Sequence, residues 1–434
     1  MRTVTVIGGG ASGLCAALSA REAGAEVVLL EHNDRLGRKL SATGNGKCNL
    51  GNAFLSEECY RGGDSAFVNT VFDKMSPEMV RAYLSGHGLF LKEKRGYFYP
   101  YSEQAASVVN FFASRLKDAG VKVRLWAEVT EVLYSMNNGG SFLVRYIDKE
   151  SGRNEQIPCD SVIVASGGLA GDNLGAGPVG YEIAKSFGHP VTKLFPALVQ
   201  LICKGAGTKA ISGVRAEADV KLLTGNGLSA QGGSRKGNAV RTYSESGEVL
   251  FTDYGISGIA VMQLSRYASE ALQKGLEAVL ELDLMPGTDA EVLCKEFRVL
   301  AEKTHTISTE DMLTGFLPKK LLYKIICEAG VRAEQPFASL SEAQRNAIVS
   351  QMKGFRLSVT GTKEFASAQV TAGGIELGGI DAETMESGLR KGLYFTGELL
   401  DVDGTCGGYN LQFAFATGLL AGRAAARKDR GEKA

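Results

Sequence analysis

The first thirty residues show a strand–helix–strand pattern of hydrophobic and polar positions. An apolar run at residues 4–7 leads into a glycine-rich turn at residues 8–13, and a helical stretch then ends at Gly24. A second apolar run at residues 27–30 ends at Glu31. Short apolar runs bounded by glycine predict buried strands, so this segment predicts two parallel strands joined by a helix.

The glycine spacing in that turn is typical of dinucleotide binding. The first glycine permits a tight turn, the second lets the backbone approach a pyrophosphate, and the third allows close packing of helix on strand. Amides at the helix start can hold phosphates, and the carboxylate can accept hydrogen bonds from a ribose hydroxyl. An ordinary glycine-rich turn is the alternative, but strand, helix and acid all stand at the offsets that a dinucleotide site needs. The candidate binding residues in this segment are Gly8, Gly10, Ala11, Ser12, Gly13 and Glu31.

Two further glycine-rich segments follow apolar runs. The run at residues 161–165 precedes Ser166 and Gly167, which predicts a buried parallel strand that opens into a loop where nucleotides bind. Near the C-terminus, a glycine-rich segment at residues 392–410 leads into a small-residue helix at 411–426, suited to close packing on a sheet. A helix N-terminus after such a loop is again a candidate anion site.

The middle of the chain has a different pattern. Residues 191–300 are rich in Val, Leu and Thr with polar turns, which predicts antiparallel strands with some helices, and residues 308–352 are helical in pattern. We therefore predict an α/β fold with a doubly wound, discontinuous Rossmann-like domain, an inserted β-rich domain and a small helical domain. The predicted bounds are 1–190 and 376–434 for the first, 191–303 and 353–375 for the second, and 304–352 for the third.

Composition shows an excess of glycine, and it argues against several classes of protein. Glycine contributes 55 of 434 residues, well above the usual ~7%, so it must occupy particular tight backbone positions. Lys and Arg total 48 against 48 Asp and Glu, and this neutral balance argues against binding to nucleic acid or an anionic membrane. We find no apolar run long enough to span a bilayer and no signal-peptide pattern, and we expect a cytoplasmic protein.

The eight cysteines and four histidines are dispersed, with no Cys-x-x-Cys, so we expect neither a metal site nor a disulfide framework. His87, His189 and His305 each stand alone in the sequence and are expected to be structural or surface residues. An aromatic cluster at residues 97–101 follows the charged run 92–95. Core packing is its default role, but tyrosines beside a cofactor can also line a substrate pocket or donate a proton.

Several phrases together resemble the YhiN/BaiN-type flavoproteins, a family also described as aminoacetone-oxidase-like. The resemblance rests on the dinucleotide turn with its acid, on Thr-Gly-Asn-Gly-Lys-Cys-Asn at 43–49, and on segments 37–39, 396–398, 401–404 and 406–410. It covers essentially the whole chain. It implies FAD, a flavin fold of two dinucleotide-binding-domain type, and two inserted domains. The sequence has no obvious His or Cys attachment motif, which favours non-covalent binding of the flavin.

The resemblance also implies roles for individual residues. Glu31 would hold the adenosine ribose, and Arg38 and Lys39 would neutralise the pyrophosphate, unless they are simply a solvated basic pair. Asn45 and Gly46 would bring backbone close to the isoalloxazine. The remaining implied cofactor contacts are Val129 at the adenine, Ser166 and Gly167 beside the adenosine, and Glu398, Asp403, Gly408, Asn410 and Leu411 towards the flavin half.

No catalytic residue emerges, but three candidates are retained. Cys48 and Cys406 lie in motifs expected to border the flavin, where they could form a redox pair or simply be small residues in crowded loops. Tyr254 lies in the inserted strand domain, which is expected to supply residues that face the substrate.

The resemblance favours an FAD-dependent oxidoreductase that takes hydride from NAD(P)H and reduces an activated C=C bond of a steroid-like or bile-acid-like enone. No separate nicotinamide domain is evident, so NAD(P)H would dock transiently over the flavin. The alternatives are an oxidase of a small amine such as aminoacetone, which would produce peroxide, and a flavin-bearing binding module without a small-molecule substrate. The oligomeric state is left open.

Overall fold

The computed structural model describes residues 1–136, 140–204, 207–228, 240–303 and 306–427. His305 and the end of the C-terminal tail lie outside these residues. The chain divides into two compact units, one formed by 1–195 with 369–434 and the other by 196–368. We term the first the nucleotide unit and the second the barrel unit.

In chain order, the strands are β1 (Thr3–Ile7), β2 (Glu26–Leu30), β3 (Gly51–Asn52), β4 (Tyr60–Gly62), β5 (Leu91–Lys94), β6 (Tyr97–Pro100), β7 (Lys122–Arg124), β8 (Ala127–Ser135), β9 (Ser141–Asp148), β10 (Arg153–Cys159), β11 (Ser161–Val164), β12 (Phe195–Ala197), β13 (Leu201–Lys204), β14 (Arg215–Gly225), β15 (Arg241–Phe251), β16 (Gly255–Ser257), β17 (Glu277–Asp283), β18 (Phe355–Thr362), β19 (Val370–Ala372), β20 (Leu393–Phe395) and β21 (Val402–Gly404). The helices are α1 (Ala11–Glu22), α2 (Arg38–Ala42), α3 (Ser65–Lys74), α4 (Pro77–Gly86), α5 (Ala105–Asp118), α6 (Val179–Ser186), α7 (Ile259–Gln273), α8 (Ala290–Lys303), α9 (Thr309–Leu313), α10 (Lys319–Glu328), α11 (Glu342–Lys353) and α12 (Tyr409–Ala425).

The nucleotide unit is built on a parallel sheet with the order β20-β11-β1-β2-β7. Strand β1 lies between β2 and β11, with Val6 opposite both Leu29 and Ile163. All four residues of β11 are buried, as a strand covered on both faces requires. The predicted α/β, Rossmann-like architecture is confirmed, because a parallel sheet with crossover helices holds the glycine turn at the end of β1.

Small residues allow helix α12 to pack directly against α1. A β-carbon at Gly418 would lie 2.2 Å from the Ser12 carbonyl oxygen, and one at Gly422 would lie 2.4 Å from that of Ala16. The Ser19 hydroxyl donates to the Leu419 carbonyl oxygen at 3.0 Å. The predicted small-residue helix therefore exists, and one of its closest partners is the helix that follows the dinucleotide turn.

Three of the smaller sheets among the described residues also lie in this unit. They have the orders β10-β9-β8, β3-β6-β5 and β21-β4. The β8 sheet begins beside the second strand of the Rossmann unit, since the Ala127 N–H donates to the Glu31 carbonyl oxygen at 2.9 Å.

The barrel unit contains a closed barrel with the order β13-β16-β15-β14-β17-β18. Helices α8 to α11 share one hydrophobic core with these strands, in which Phe297, Ile325, Phe337, Leu280 and Phe355 are all buried. The segment 304–352, predicted as a separate helical domain, therefore lies in the same unit as the barrel wherever it is described. Within the described residues, no helix is both long enough and apolar enough to cross a membrane.

Candidate functional site

The three glycines of the dinucleotide motif, Gly8, Gly10 and Gly13, have different surroundings. A β-carbon at Gly8, where φ is +104°, would lie 2.5 Å from the Ala165 carbonyl oxygen, so this position requires glycine. A β-carbon at Gly13 would lie 1.9 Å from the Gly8 carbonyl oxygen. One at Gly10 would have no atom of the described chain within 4 Å. Two glycines are thus needed by the fold, whereas the third faces open space at the helix start.

That open space lies at the N-terminus of α1. Gly10 is the N-cap and has no side chain to cap the first turn, which begins at Ala11 and Ser12. The first amides of a helix have no intrahelical partner and carry the positive end of the helix dipole. The arrangement can therefore accept a pyrophosphate without displacing any described side chain.

Glu31 is buried at the end of β2 and organises the same turn. One carboxylate oxygen accepts the Gly9 N–H at 2.7 Å, and the other accepts the Asn33 N–H at 2.9 Å and the Asn33 side-chain amide at 2.7 Å. Burial alone would raise the pKa of Glu31, but hydrogen bonds from His32, Asn33 and Gly9 outweigh it and lower the pKa. The group is therefore a carboxylate at neutral pH, as ribose recognition needs.

The two basic residues of α2 each contact a polar side chain. The Arg38 guanidinium donates to the Asn33 side-chain oxygen at 3.0 Å. The Lys39 ammonium donates to the Glu398 carboxylate at 2.7 Å, and the other oxygen of Glu398 accepts the Thr371 N–H at 2.9 Å. Lys39 and Glu398, far apart in sequence, are thus brought together, and their roles towards a cofactor stay a prediction.

The loop after β11 lies directly against the turn after β1, because the Ala165 N–H donates to the Ile7 carbonyl oxygen at 2.8 Å. The buried Ser166 hydroxyl has no hydrogen-bond partner among the described residues. A β-carbon at Gly167 would meet no described atom within 4 Å. Val129 is buried on β8, opposite Tyr146. The open space at Gly167 could admit part of a ligand, whereas the Ser166 hydroxyl faces helix α6, since a β-carbon at Gly180 would lie 2.2 Å from it.

A second group of loops forms what we term the flavin end, residues 43–52 and 404–410. Gly44, Asn45 and Gly46 are successive left-handed residues, with φ of +57°, +53° and +82°. Asn45 is the non-glycine member of that run and is strained unless its surroundings hold it. A β-carbon at Gly46 would have no described atom within 4 Å, so backbone is open to a ligand at this position.

The two loops of the flavin end are joined by side-chain amides. The Asn52 amide donates to the Gly407 carbonyl oxygen at 3.2 Å, and the Asn52 N–H donates to the Gln412 side-chain oxygen at 2.9 Å. Asn410 exchanges two hydrogen bonds with Gly404, at 2.8 and 2.9 Å. Asn52 and Gln412 were not predicted, although a polar residue in an otherwise apolar helix was an available signal.

The start of α12 completes this end. Gly408 is its N-cap, with φ of +95°, and a β-carbon there would lie 2.8 Å from the Asn49 side-chain oxygen. Asp403 is buried on β21, and Leu411 is partly buried in the first turn of the helix. Asn45 and Gly46 thus lie on one of the two loops, and Gly408 and Asn410 lie on the other, which Asp403 on β21 precedes and Leu411 on α12 follows.

The catalytic candidates lie in two units. Burial raises the pKa of the Cys48 thiol to about 11, partly opposed by a hydrogen bond from Thr43, and burial also raises the pKa of Cys406. Both are therefore thiols at neutral pH, which does not favour a reactive pair. Tyr254 belongs to the barrel unit, where the Lys363 ammonium lies 4.1 Å from its ring centroid.

A cleft of ≈ 360 Å³ opens along strand β4, which pairs with β21. The Tyr60 hydroxyl at this cleft donates to the Tyr409 carbonyl oxygen at 3.1 Å, in the first turn of α12. Its walls include Leu55, Tyr60, Arg61, Val68, Asn69 and Phe72. The cleft therefore combines apolar and polar walls beside the strand that carries Asp403.

Comparison with known proteins identifies the family of this chain. Residues 2–424 match the family described as HI0933-like protein Rossmann domain. The chain belongs to the HI0933-like family. The predicted resemblance is confirmed, and the protein is an FAD-dependent oxidoreductase of this family.

Two relatives of this HI0933-like protein align over nearly all of its length. It is 37% identical over 430 residues to a 3-dehydro-bile acid delta(4,6)-reductase of Clostridium scindens, covering 99% of this chain and 100% of the relative. It is 30% identical to a ribosomal RNA dihydrouridine synthase of Haemophilus influenzae, covering 95% of each. A 3-ketosteroid delta1-dehydrogenase of Sterolibacterium denitrificans shares the fold, with a TM-score of 0.52 at 11% identity, over 98% of this chain and 100% of that structure.

The residues present fit FAD. The open helix start at Gly10, the ionised Glu31 and the open backbone at Gly167 suit the adenosine and pyrophosphate half. The open backbone at Gly46 and the N-terminus of α12 suit the flavin half. The individual contacts remain predictions.

Proposed function

We propose that this protein reduces a carbon–carbon double bond conjugated to a carbonyl group, with NAD(P)H as the electron donor and a steroid-like enone as the substrate. The observation that carries the proposal is 37% identity, over the full length of both chains, to a protein named as a 3-dehydro-bile acid delta(4,6)-reductase. Both units of this chain are included in that alignment.

The chemistry requires a hydride at the β-carbon of the enone and a proton at its α-carbon. Bound FAD would supply the hydride, after receiving it from NAD(P)H. The loops of the flavin end would hold the isoalloxazine, with the α12 N-terminus favouring negative charge near it.

The proton must come from a group that is protonated at neutral pH. Tyr99 lies on strand β6, which pairs with strand β3 of the flavin end. Burial raises the pKa of Tyr99, and Tyr97, Glu103 and Cys406 raise it further. Tyr99 therefore stays a phenol and is our candidate proton donor.

A second substrate class has support from a specific observation. Two relatives, 30% and 27% identical over 95% of this chain, are named ribosomal RNA dihydrouridine synthases. Forming dihydrouridine also saturates a ring C=C bond conjugated to a carbonyl. The same hydride and proton transfer would therefore serve a uracil base, with RNA in place of the steroid.

One anaerobic experiment separates these possibilities. The FAD-loaded protein is reduced with NADH or NADPH, and flavin absorbance is then followed after addition of a 3-oxo-4,6-diene steroid acid, a uridine-containing ribosomal RNA fragment or buffer. Rapid reoxidation by the steroid supports the proposal, and reoxidation by RNA alone supports the second class. In a parallel sample, aminoacetone replaces NADH or NADPH as the reductant. Flavin reduction by aminoacetone but not by NAD(P)H, with peroxide formed on aeration, would show an amine oxidase and refute both the enone reductase and the RNA reductase.

A further inference from the structure

The sheet β3-β6-β5 presents alternating lysine and tyrosine side chains on one face. In its register Lys92 is opposite Tyr99 and Lys94 is opposite Tyr97. Residues directly opposite in an antiparallel pair point to the same face, and alternate residues share that face. The neighbouring positions Phe98 and Pro100 point the other way and are buried. We call Lys92, Lys94, Tyr97 and Tyr99 the Lys–Tyr face.

Positive charge is in excess around this face. The Lys92 ammonium lies 2.7 Å from the Glu103 carboxylate, and Lys47 lies 3.6 Å from the same carboxylate. The hydrogen bond from Lys92 lowers the pKa of Glu103, with further lowering by the charges of Lys94 and Lys47. Three lysines therefore surround one ionised carboxylate, and a further anion would be attracted to them.

The Lys–Tyr face adjoins the flavin end. Asn52 is opposite Tyr97 in the register of β3 and β6, so its side chain shares the face, and it donates to the Gly407 carbonyl oxygen. Lys47 itself belongs to the loop that holds Asn45 and Gly46. A substrate placed over the flavin end would therefore have this face beside it.

We propose that the Lys–Tyr face, with Lys47, is the subsite that holds a carboxylate carried by the enone substrate, while the two tyrosines contact its apolar rings. The inference rests on the proposed function and specifies its substrate as an enone acid. Lysine ammonium groups form charge-assisted hydrogen bonds to carboxylates, and tyrosine rings provide flat apolar surface.

The charge pattern favours a single carboxylate over a polyanion. Glu103 already partly balances the three lysines, since its carboxylate pairs with Lys47 and Lys92. The whole chain has a formal net charge of zero. Nucleic-acid binding depends on neutralising several phosphates along a basic surface, which these features do not provide.

The test is calorimetric titration of the oxidised, FAD-loaded protein with a saturated 3-oxo steroid acid, which cannot be reduced, and with its methyl ester. The variants are Lys92→Gln, Lys94→Gln and, as a matched control on helix α5, Lys117→Gln. We expect the acid to bind about tenfold more tightly than the ester, and each face variant to lose about tenfold for the acid alone. Lys117→Gln should change neither affinity, and melting temperatures verify that all variants fold.

Equal affinity for acid and ester, or equal losses for both in the face variants, would overturn the inference. A uridine-containing single-stranded RNA is titrated in parallel. Lysine-dependent binding of that RNA without acid-over-ester preference would also overturn it, in favour of RNA as the ligand. Failure of the 3-oxo-4,6-diene steroid acid to reoxidise the reduced flavin would instead refute the proposed function, because the calorimetric result with the saturated acid does not depend on turnover.

Discussion

The proposed FAD site has two ends that are built in different ways: the adenosine end, around residues 8–13 with Glu31, and the flavin end. At the adenosine end, the register of β1 with β2 and β11 places the turn, and glycines make backbone contacts that no other residue could make. At the flavin end, loops with left-handed residues are held together by side-chain amides. Steric exclusion around the glycines dominates at the first end, with the Glu31 hydrogen bonds added to it, whereas side-chain amides hold the second end, so substitutions should affect the two ends to different degrees.

The largest effect is expected at the adenosine end. Gly13→Val would force side-chain atoms into the Gly8 carbonyl, where even a β-carbon would lie at 1.9 Å. We expect a loss of at least ~3 kcal/mol in the free energy of unfolding, or failure to fold, because overpacking at this position moves backbone. Gly10→Val is the matched control, with open space within 4 Å of its β-carbon among the described residues.

Gly10→Val should melt within a few degrees of the parent protein without FAD, yet retain far less flavin after gel filtration. Thermal melting and flavin absorbance measure the two effects. Full flavin retention by Gly10→Val would show that the open space at the α1 N-terminus does not hold the pyrophosphate.

A smaller effect is expected from Glu31→Gln. The change replaces a carboxylate that accepts the Gly9 and Asn33 amides, and should cost about 1–3 kcal/mol in unfolding free energy at neutral pH. The folded-state pKa of Glu31 lies below its ordinary value of 4.5, so its stabilisation is present above pH 4.5 and lost as the pH falls through the folded-state pKa. Denaturant unfolding from pH 7 to pH 3 should show a gap between parent and variant that narrows in acid, and a constant gap would contradict this.

At the flavin end, Asn45 allows a test of backbone strain. Asn45→Ala places a less tolerant residue at φ +53° and should lower the unfolding free energy by about 1 kcal/mol. Asn45→Gly should be close to neutral, because glycine adopts this conformation without a β-carbon. If the two variants unfold at the same denaturant concentration, the left-handed geometry at position 45 does not limit the stability of this end.

The smallest effect is expected from the double variant Cys48→Ser with Cys406→Ser. Burial raises the pKa of both thiols, so neither is poised as a thiolate near pH 7. Steady-state turnover and the flavin reduction potential should match the parent protein. A clear shift in the potential would instead support a redox role for this pair.

Most of the nucleotide unit could be predicted because its signals are local. The turn at Gly8 to Gly13, the acid Glu31 and the strand before Ser166 all follow from runs of a few residues. The contact of α12 with α1 could not be predicted in this way, because a stripe of small residues shows that close packing occurs but does not identify the partner. The amide bridges of Asn52 and Gln412 depend on a contact between residues 360 positions apart.

The barrel unit shows the same limit more strongly. Its strands and helices were expected from their patterns. The order β13-β16-β15-β14-β17-β18, however, pairs β13 with β18, which stand near opposite ends of this unit's sequence. Helices α9 to α11, predicted as a domain of their own, share the barrel core, since Leu313, Ile325 and Ile348 are buried with barrel residues.

By itself, the sequence determined the α/β class and the dinucleotide turn, because glycine spacing and short apolar runs act through neighbouring residues, and the resemblance of its motifs indicated the family. Only the tertiary structure decided that Lys39 pairs with Glu398, that Asn52 reaches Gly407, and that lysines and tyrosines share one face beside the flavin end. Those contacts depend on strand register and on the meeting of distant loops. Local chemistry therefore specified the cofactor, whereas long-range packing assembled the surface that we propose selects the substrate.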